Sequence, residues 1–235
     1  MHRRGMKLKW RRGLVVVLSL AALGFIIIES APPETWQSQT APAAQAPASS
    51  SKASEALNSL EVKGRAPKTG YSRDQFGSGW ALIKGCDTRN IILYRDLTNT
   101  VLDEECNVVS GTLQDVYTGK TIEFSRSDGA AIQIDHVVAL SDSWQKGAQL
   151  LSREMRVQLA NDPLELIAVD GPANQQKGDG DAATWLPSNK GFRCQYIARQ
   201  IAVKRKYTLW VTEAEKKAMQ DVLSACPEQG MPVAS

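Results

Sequence analysis

Between Glu29 and about Leu60 the chain carries almost no large apolar side chain apart from Trp36, so any packed core must be built from the residues that follow. This stretch is rich in Ala, Pro, Ser, Gln and Thr and cannot bury enough surface to offset the entropy of ordering. We expect residues 31–60 to be a disordered linker. From residue 61 to Cys226 the aliphatic, aromatic and glycine content becomes that of a globular domain, long enough for one substantial core. There is no internal repeat. One folded domain over residues 61–226, followed by a disordered tail over 227–235, is the expected organisation.

Ahead of the linker stands a targeting segment. Arg3, Arg4, Lys7, Lys9, Arg11 and Arg12 precede an apolar run from Leu14 to Ile28, broken only by Ser19 and Gly24. The run is shorter than the roughly 20 residues that span a bilayer, which favours a cleaved signal over residues 1–30. Glu29 and Pro32 fall where a cleavage site wants small residues, which leaves an uncleaved membrane anchor as the alternative. In both cases the basic end stays inside and the rest is exported, either secreted or tethered to the outer face of the membrane. The formal charge of +3 therefore says nothing about nucleic acid, because the targeting segment supplies more than that excess. A local basic signal remains from Lys190 to Lys206, where Lys190, Arg193, Arg199, Lys204, Arg205 and Lys206 occur without an acid. It reads either as a phosphate-binding face or as a solvated helix face.

Export places the four cysteines, Cys86, Cys106, Cys194 and Cys226, in an oxidising compartment. Four cysteines allow three pairings, and sequence alone does not choose among them. Cys86–Cys106 and Cys194–Cys226 are the favoured pairs because each closes a modest loop around one supersecondary unit. A zinc site of four thiolates competes poorly, since no Cys-x-x-Cys pair exists.

Periodicity and caps give a coarse structure. Ile91 to Tyr94 and Ile132 to Val138 read as strands, with Thr112 to Gly119 a turn-rich connection. Ser152 caps a helix to about Ala160, ended by Asn161-Asp162-Pro163, and Leu164 to Val169 follows as a strand. Asp170-Gly171-Pro172 turns into a short polar helix from about Ala173. Thr212 and Glu215 form the capping box of a last helix. The class is α+β, and its central unit is strand, insertion, strand, turn, helix.

Polar residues that do not suit a core fall into that unit. His136 is the sole histidine outside the targeting segment, and it lies beside Asp135 in the run Ile132 to Leu140. A general base that titrates near neutral pH must be this histidine. Asn161 precedes the second strand, and Asn174, Lys177 and Asp179 lie on or after the short helix.

In this order the residues resemble the HNH endonuclease family, whose ββα-metal core, also called the His-Me finger, carries a first-strand histidine, a middle asparagine and a helix histidine or asparagine. More closely, Tyr71-Ser72-Arg73, Phe76-Gly77, Cys86-Asp87-Thr88-Arg89-Asn90, Asp135-His136-Val137-Val138, Gly147-Ala148, Asn161-Asp162-Pro163, Asn174 to Gly178 and Trp185-Leu186-Pro187 are similar to the exported HNH proteins. These are related to the C-terminal nuclease domain of Gmr-type modification-dependent restriction enzymes. The resemblance implies an embellished ββα-metal core that hydrolyses DNA phosphodiester bonds. It implies His136 as general base, Asp135 and Asn174 as ligands of one divalent cation, and Asn161 as a brace for the loop carrying the histidine. Asn174 standing where the family most often has a histidine makes the chain an HNN-type variant.

Oxygen donors suit Mg2+ or Mn2+ better than zinc. Such a cation would stabilise the departing 3′-oxygen. Arg89 and Lys177 are candidate phosphate contacts. Their alternatives are an ion pair with Asp87 and solvation at the surface. Trp144, Trp185 and Tyr196 read as core residues. A serine hydrolase is disfavoured by the absence of a Gly-x-Ser-x-Gly elbow. The stronger rival is a non-enzymatic envelope module that binds polyanions. The expected partner is DNA, and RNA activity is not legible from the sequence. No obligate protein partner is evident, and the membrane enters only through an uncleaved anchor.

Overall fold

The computed structural model describes residues 52–232; the expected signal or anchor over 1–30, most of the linker and the end of the tail lie outside the described residues. No helix among the described residues is long and apolar enough to cross a membrane. Among the described residues the first element is α1 (Ala53–Asn58), and a hairpin of β1 (Leu82–Ile83) and β2 (Cys86–Asp87) leads into α2 (Thr88–Asp96). An antiparallel meander follows, β3 (Leu97–Leu102), β4 (Val108–Gln114) and β5 (Thr121–Ser125), with β4 in the middle. β6 (Ile132–His136) leads into α3 (Leu140–Gln145) and α4 (Arg153–Ala160), after which β7 (Leu166–Asp170) returns to pair with β6. α5 (Gly171–Lys177), α6 (Arg193–Lys206) and α7 (Glu213–Ser224) complete the fold.

The structure is a mixed α+β fold with small sheets and two disulfides, Cys86–Cys106 and Cys194–Cys226, and no free cysteine among the described residues. Several expected elements differ from those observed. Ile91 to Tyr94 is part of helix α2, because Asp87 caps it by accepting from Asn90 N at 2.8 Å. A run of four apolar residues has no period of its own, so a cap decides its state. Thr112 to Gln114 belong to β4, and the turn is confined to Asp115–Gly119, closed by Gly119 N donating to Asp115 O at 2.8 Å.

The expected linker boundary at residue 60 also falls inside the fold. Ala53, Ala56, Leu57 and Leu60 recur at helical spacing and are buried in the main core, which α6 and α7 also build. Two of these four residues are alanines, so a count of large apolar side chains passes over the stripe. The start of the expected tail is likewise paired: Ala53 N donates to Gln229 O at 2.8 Å.

The acid-free stretch Lys190–Lys206 forms a 3₁₀ turn at Lys190–Phe192 followed by α6. Most of its cations staple the chain to itself. Arg193 donates to Pro187 O at 2.8 Å, Arg199 reaches the carbonyls of Pro163, Leu164 and Leu166, Lys204 is buried against Glu215 and Lys206 pairs with Asp162. Between these, Tyr196, Ile197, Ile201 and Val203 enter the core.

Candidate active site at the end of the two-stranded sheet

β6 and β7 pair with His136 opposite Leu166 and Asp135 opposite Ile167. Both strands are almost wholly buried, so their apolar residues fix the register and with it the place where Asp135 and His136 emerge. β7 runs directly into α5 through Asp170, whose side chain accepts from Ala173 N at 2.8 Å, with Pro172 in the first turn. Gly171 is required there, since a Cβ would stand 2.1 Å from Ala130 O in the segment leading into β6. The close approach sets α5 against the sheet and brings Asn174 beside the strand: its Nδ2 donates to Gln133 Oε1 at 3.0 Å.

His136 is 7% exposed and its Nε2 lies 3.0 Å from Ala160 O. A carbonyl can only accept, so the proton sits on Nε2 and the lone pair is on Nδ1. Burial pulls the imidazole down to about 3, against the hydrogen bond to Ala160; the charges of Arg73 and Lys177 push the same way as burial. The ring is thus neutral at physiological pH. Trp80 lies parallel to it, with centroids 5.9 Å apart and planes 5° apart.

Asp135 is buried and held at both oxygens. Lys177 Nζ donates to Oδ1 at 2.9 Å, and the Tyr117 hydroxyl donates to Oδ2. Lys177 also donates to His136 O at 2.8 Å, so one ammonium fixes both the carboxylate and the backbone of the histidine. Burial, reinforced by Asp135, raises the Tyr117 hydroxyl well above its ordinary range, which keeps it a donor. Lys177, a candidate phosphate contact with surface solvation as its alternative, lies beneath the strand end with its side chain fully buried. A fully buried ammonium with two protein acceptors has no face to offer a substrate.

A cleft of about 420 Å3 opens over this strand end, lined among others by Asp135, His136, Asn174, Arg73, Arg89 and Trp80. Five of the residues singled out by sequence therefore line one cleft: Arg89, Asp135, His136, Asn174 and Asp179. Arg89 pairs with no carboxylate among the described residues, Asp87 included, and lies over the Phe124 ring at 6.0 Å. Asn161 does not line the cleft; its Oδ1 accepts from Ala81 N at 2.8 Å and its Nδ2 donates to Val157 O at 2.9 Å. It thereby ties the residue that follows Trp80 to the end of α4. Arg73, Trp80, Tyr117 and Glu165 were missed as site residues. Tyr71-Ser72-Arg73 was visible as a motif, and Glu165 as an acid just ahead of the apolar strand β7, but no local pattern ties Tyr117 to Asp135.

The donor set can be tested against a divalent cation. No group of three or more His, Cys, Asp or Glu side chains suited to a metal occurs among the described residues. Asn174 Oδ1, however, has no hydrogen-bond partner among them, and it shares the cleft with Asp135. Each carboxylate oxygen of Asp135 accepts one hydrogen bond and retains a second lone pair. Two oxygen donors fit a hard cation that keeps most of its waters, and they do not fit structural zinc.

Comparison with known proteins is consistent with this geometry. A curated relative from Arthroderma benhamiae, described as an uncharacterized secreted protein, is 40% identical over 181 residues, covering 76% of this chain and 86% of its own. No solved structure matches the chain significantly. The family model described as the C-terminal domain of GmrSD restriction endonucleases matches residues 87–222, more than half of the chain and all of the strand–strand–helix unit. The chain belongs to the family of the GmrSD restriction endonuclease C-terminal domain.

Proposed function

We propose that the protein is an exported, metal-dependent endonuclease that hydrolyses DNA phosphodiester bonds, and that β6, β7 and α5 are an HNH-type ββα-metal core. One observation carries the reading: a neutral histidine with an oriented proton, an aspartate and an asparagine from strand and helix share one polar cleft. His136 is the general base. Its Nδ1 takes a proton from water as the water oxygen bonds to phosphorus, while Nε2–H holds the ring on Ala160 O. The bond from phosphorus to the 3′-oxygen breaks, its electron pair leaves with that oxygen, and a solvent proton completes the 3′-hydroxyl. Asp135 and Asn174 would hold Mg2+ or Mn2+, which supplies charge to the phosphate and to the departing oxygen. Asn161 positions Trp80 and its segment and does no chemistry. The family's description as restriction endonucleases supports nuclease chemistry, and the relative described as secreted, with the two disulfides, supports an extracellular location. RNA remains a substrate to be tested beside DNA.

A plasmid-nicking assay with Mg2+ or Mn2+, and with EDTA as control, tests the reading. Cleavage should require metal, and His136→Ala should lower the rate by about 10² to 10⁴ while leaving the fold intact. Asp135→Ala and Asn174→Ala should raise the metal concentration for half-maximal cleavage more than Asn161→Ala does. Undiminished cleavage by purified His136→Ala would sink the assignment.

A further inference from the structure

Charge bookkeeping in the cleft leaves a surplus. Of the carboxylates lining it, Asp135 pairs with Lys177, and Asp179 with Lys68 at 3.0 Å. Two guanidinium groups from separate segments, Arg73 and Arg89, also line the cleft, and neither forms an ion pair or hydrogen bond among the described residues. Their state differs from that of the arginines used structurally. Arg65 is clamped on Asp142 and Asp181, Arg95 on Asp96, Arg156 on Gln75 and Leu151, and Arg199 on three carbonyls.

Arg73 is the better placed of the two. It lines both the large cleft and an adjoining pocket of about 110 Å3, and His136, Trp80 and Leu140 line both as well. Its side chain is exposed, yet its backbone is fixed. Arg73 opens the 3₁₀ turn Arg73–Phe76, where Phe76 is 2% exposed and Gln75 accepts from Arg156 of α4 at 3.0 Å. Phe76, Tyr71 and Trp144 meet edge to face around the same turn. A fixed backbone thus holds a guanidinium with no partner among the described residues at the cleft beside His136.

We propose that Arg73 binds the non-bridging oxygens of the scissile phosphate and stabilises the charge they gain as water attacks, with Arg89 contacting the same or the neighbouring phosphate. This rests on the nuclease reading above. A guanidinium matches two phosphate oxygens at once, and its contribution grows as charge builds on them in the transition state.

Steady-state cleavage of a labelled DNA oligonucleotide tests it, with thermal melts to confirm folding. Arg73→Ala should lower kcat/KM by about 10² to 10³, the loss seen when one preorganised donor is removed from a transition state. Arg73→Lys should recover part of this. Added guanidinium at a non-denaturing concentration should restore activity to Arg73→Ala and leave His136→Ala unchanged. Oligonucleotide affinity in EDTA should weaken by about tenfold, one lost phosphate contact. Arg73→Ala cleaving within about threefold of the wild type would overturn the proposal and leave the nuclease reading standing. A loss of activity with neither rescue by guanidinium nor weaker binding would overturn it too. If the wild type cleaves nothing with either metal, the nuclease reading falls, and the anion site is then decided by binding alone: equal affinity of wild type and Arg73→Ala removes it.

Discussion

Glu165 stands behind the histidine and shows what a single buried group can do to stability. Its backbone carbonyl accepts from Val137 N at 2.9 Å and its Oε2 from Val138 N at 3.2 Å, so it grips the chain as it leaves His136. Oε1 has no partner. Burial pushes the carboxyl well above the usual carboxylate range; Asp135 adds to this, while Val138 N–H, Lys177 and Arg199 work against it. The folded protein therefore keeps a proton that the unfolded chain releases near 4.5. Stability from this group is complete below that value and is lost as pH rises from it toward the buried carboxyl's own titration. Glu165→Gln keeps an acceptor for Val138 and removes the titration. We expect the variant to melt above the wild type at pH 8, with the gap closing toward pH 4, at a slope of at most about 1.4 kcal/mol per pH unit. Circular dichroism melts across that range decide it, and parallel pH profiles for the two proteins would refute it.

At the scale of elements, local signals were legible and pairings were not. Ser152, Asp170-Gly171-Pro172 and Thr212 with Glu215 announce helix starts through contacts within three residues, and each cap forms. The order of Asp135, His136 and Asn174 was legible through the family resemblance, because β6 and β7 pair across an insertion that holds α3 and α4. The meander β3–β4–β5 was missed because a period-2 pattern shows only faintly in Val108 to Gln114, although its strands pair with their near neighbours in the chain. The burial of Lys177 was illegible because it depends on where the sheet end meets α5, and Arg73 because its turn is placed by Arg156 across the fold. Cys194 at the start of α6 and Cys226 beyond α7 tie the far ends of two packed helices. Replacing both with Ala should lower stability by about 2 to 4 kcal/mol, chiefly by freeing the unfolded chain. Urea unfolding measures this; an unchanged midpoint would mean that packing of the two helices alone sets their geometry.

Across the whole molecule, one buried charge network joins segments that share little else. Lys146, just after α3, is fully buried and meets Asp142 at 2.8 Å, Asp181 at 2.8 Å and Glu215 of α7 at 2.7 Å. Lys204 of α6 adds a contact to Glu215 at 3.0 Å, and Arg65 from the segment after α1 closes on Asp142 and Asp181, both at 2.7 Å. Three cations thus face three carboxylates. Burial works against the charge of Asp181, yet Lys146 and Arg65 hold its carboxyl below the usual range. Because Asp181 lies shortly after α5, the network also anchors the helix that carries Asn174. A buried ion cluster need not stabilise more than an apolar one of the same shape, but removing one member leaves the others uncompensated. Lys146→Met should therefore cost about 3 to 5 kcal/mol, read from urea unfolding midpoints. Lys217, which meets Asp221 at 3.0 Å on the solvent face of α7, is the control, because an exposed pair contributes little. If Lys146→Met and Lys217→Ala shift the midpoint equally, the network is incidental, and apolar packing alone must hold α5 in place beneath the cleft.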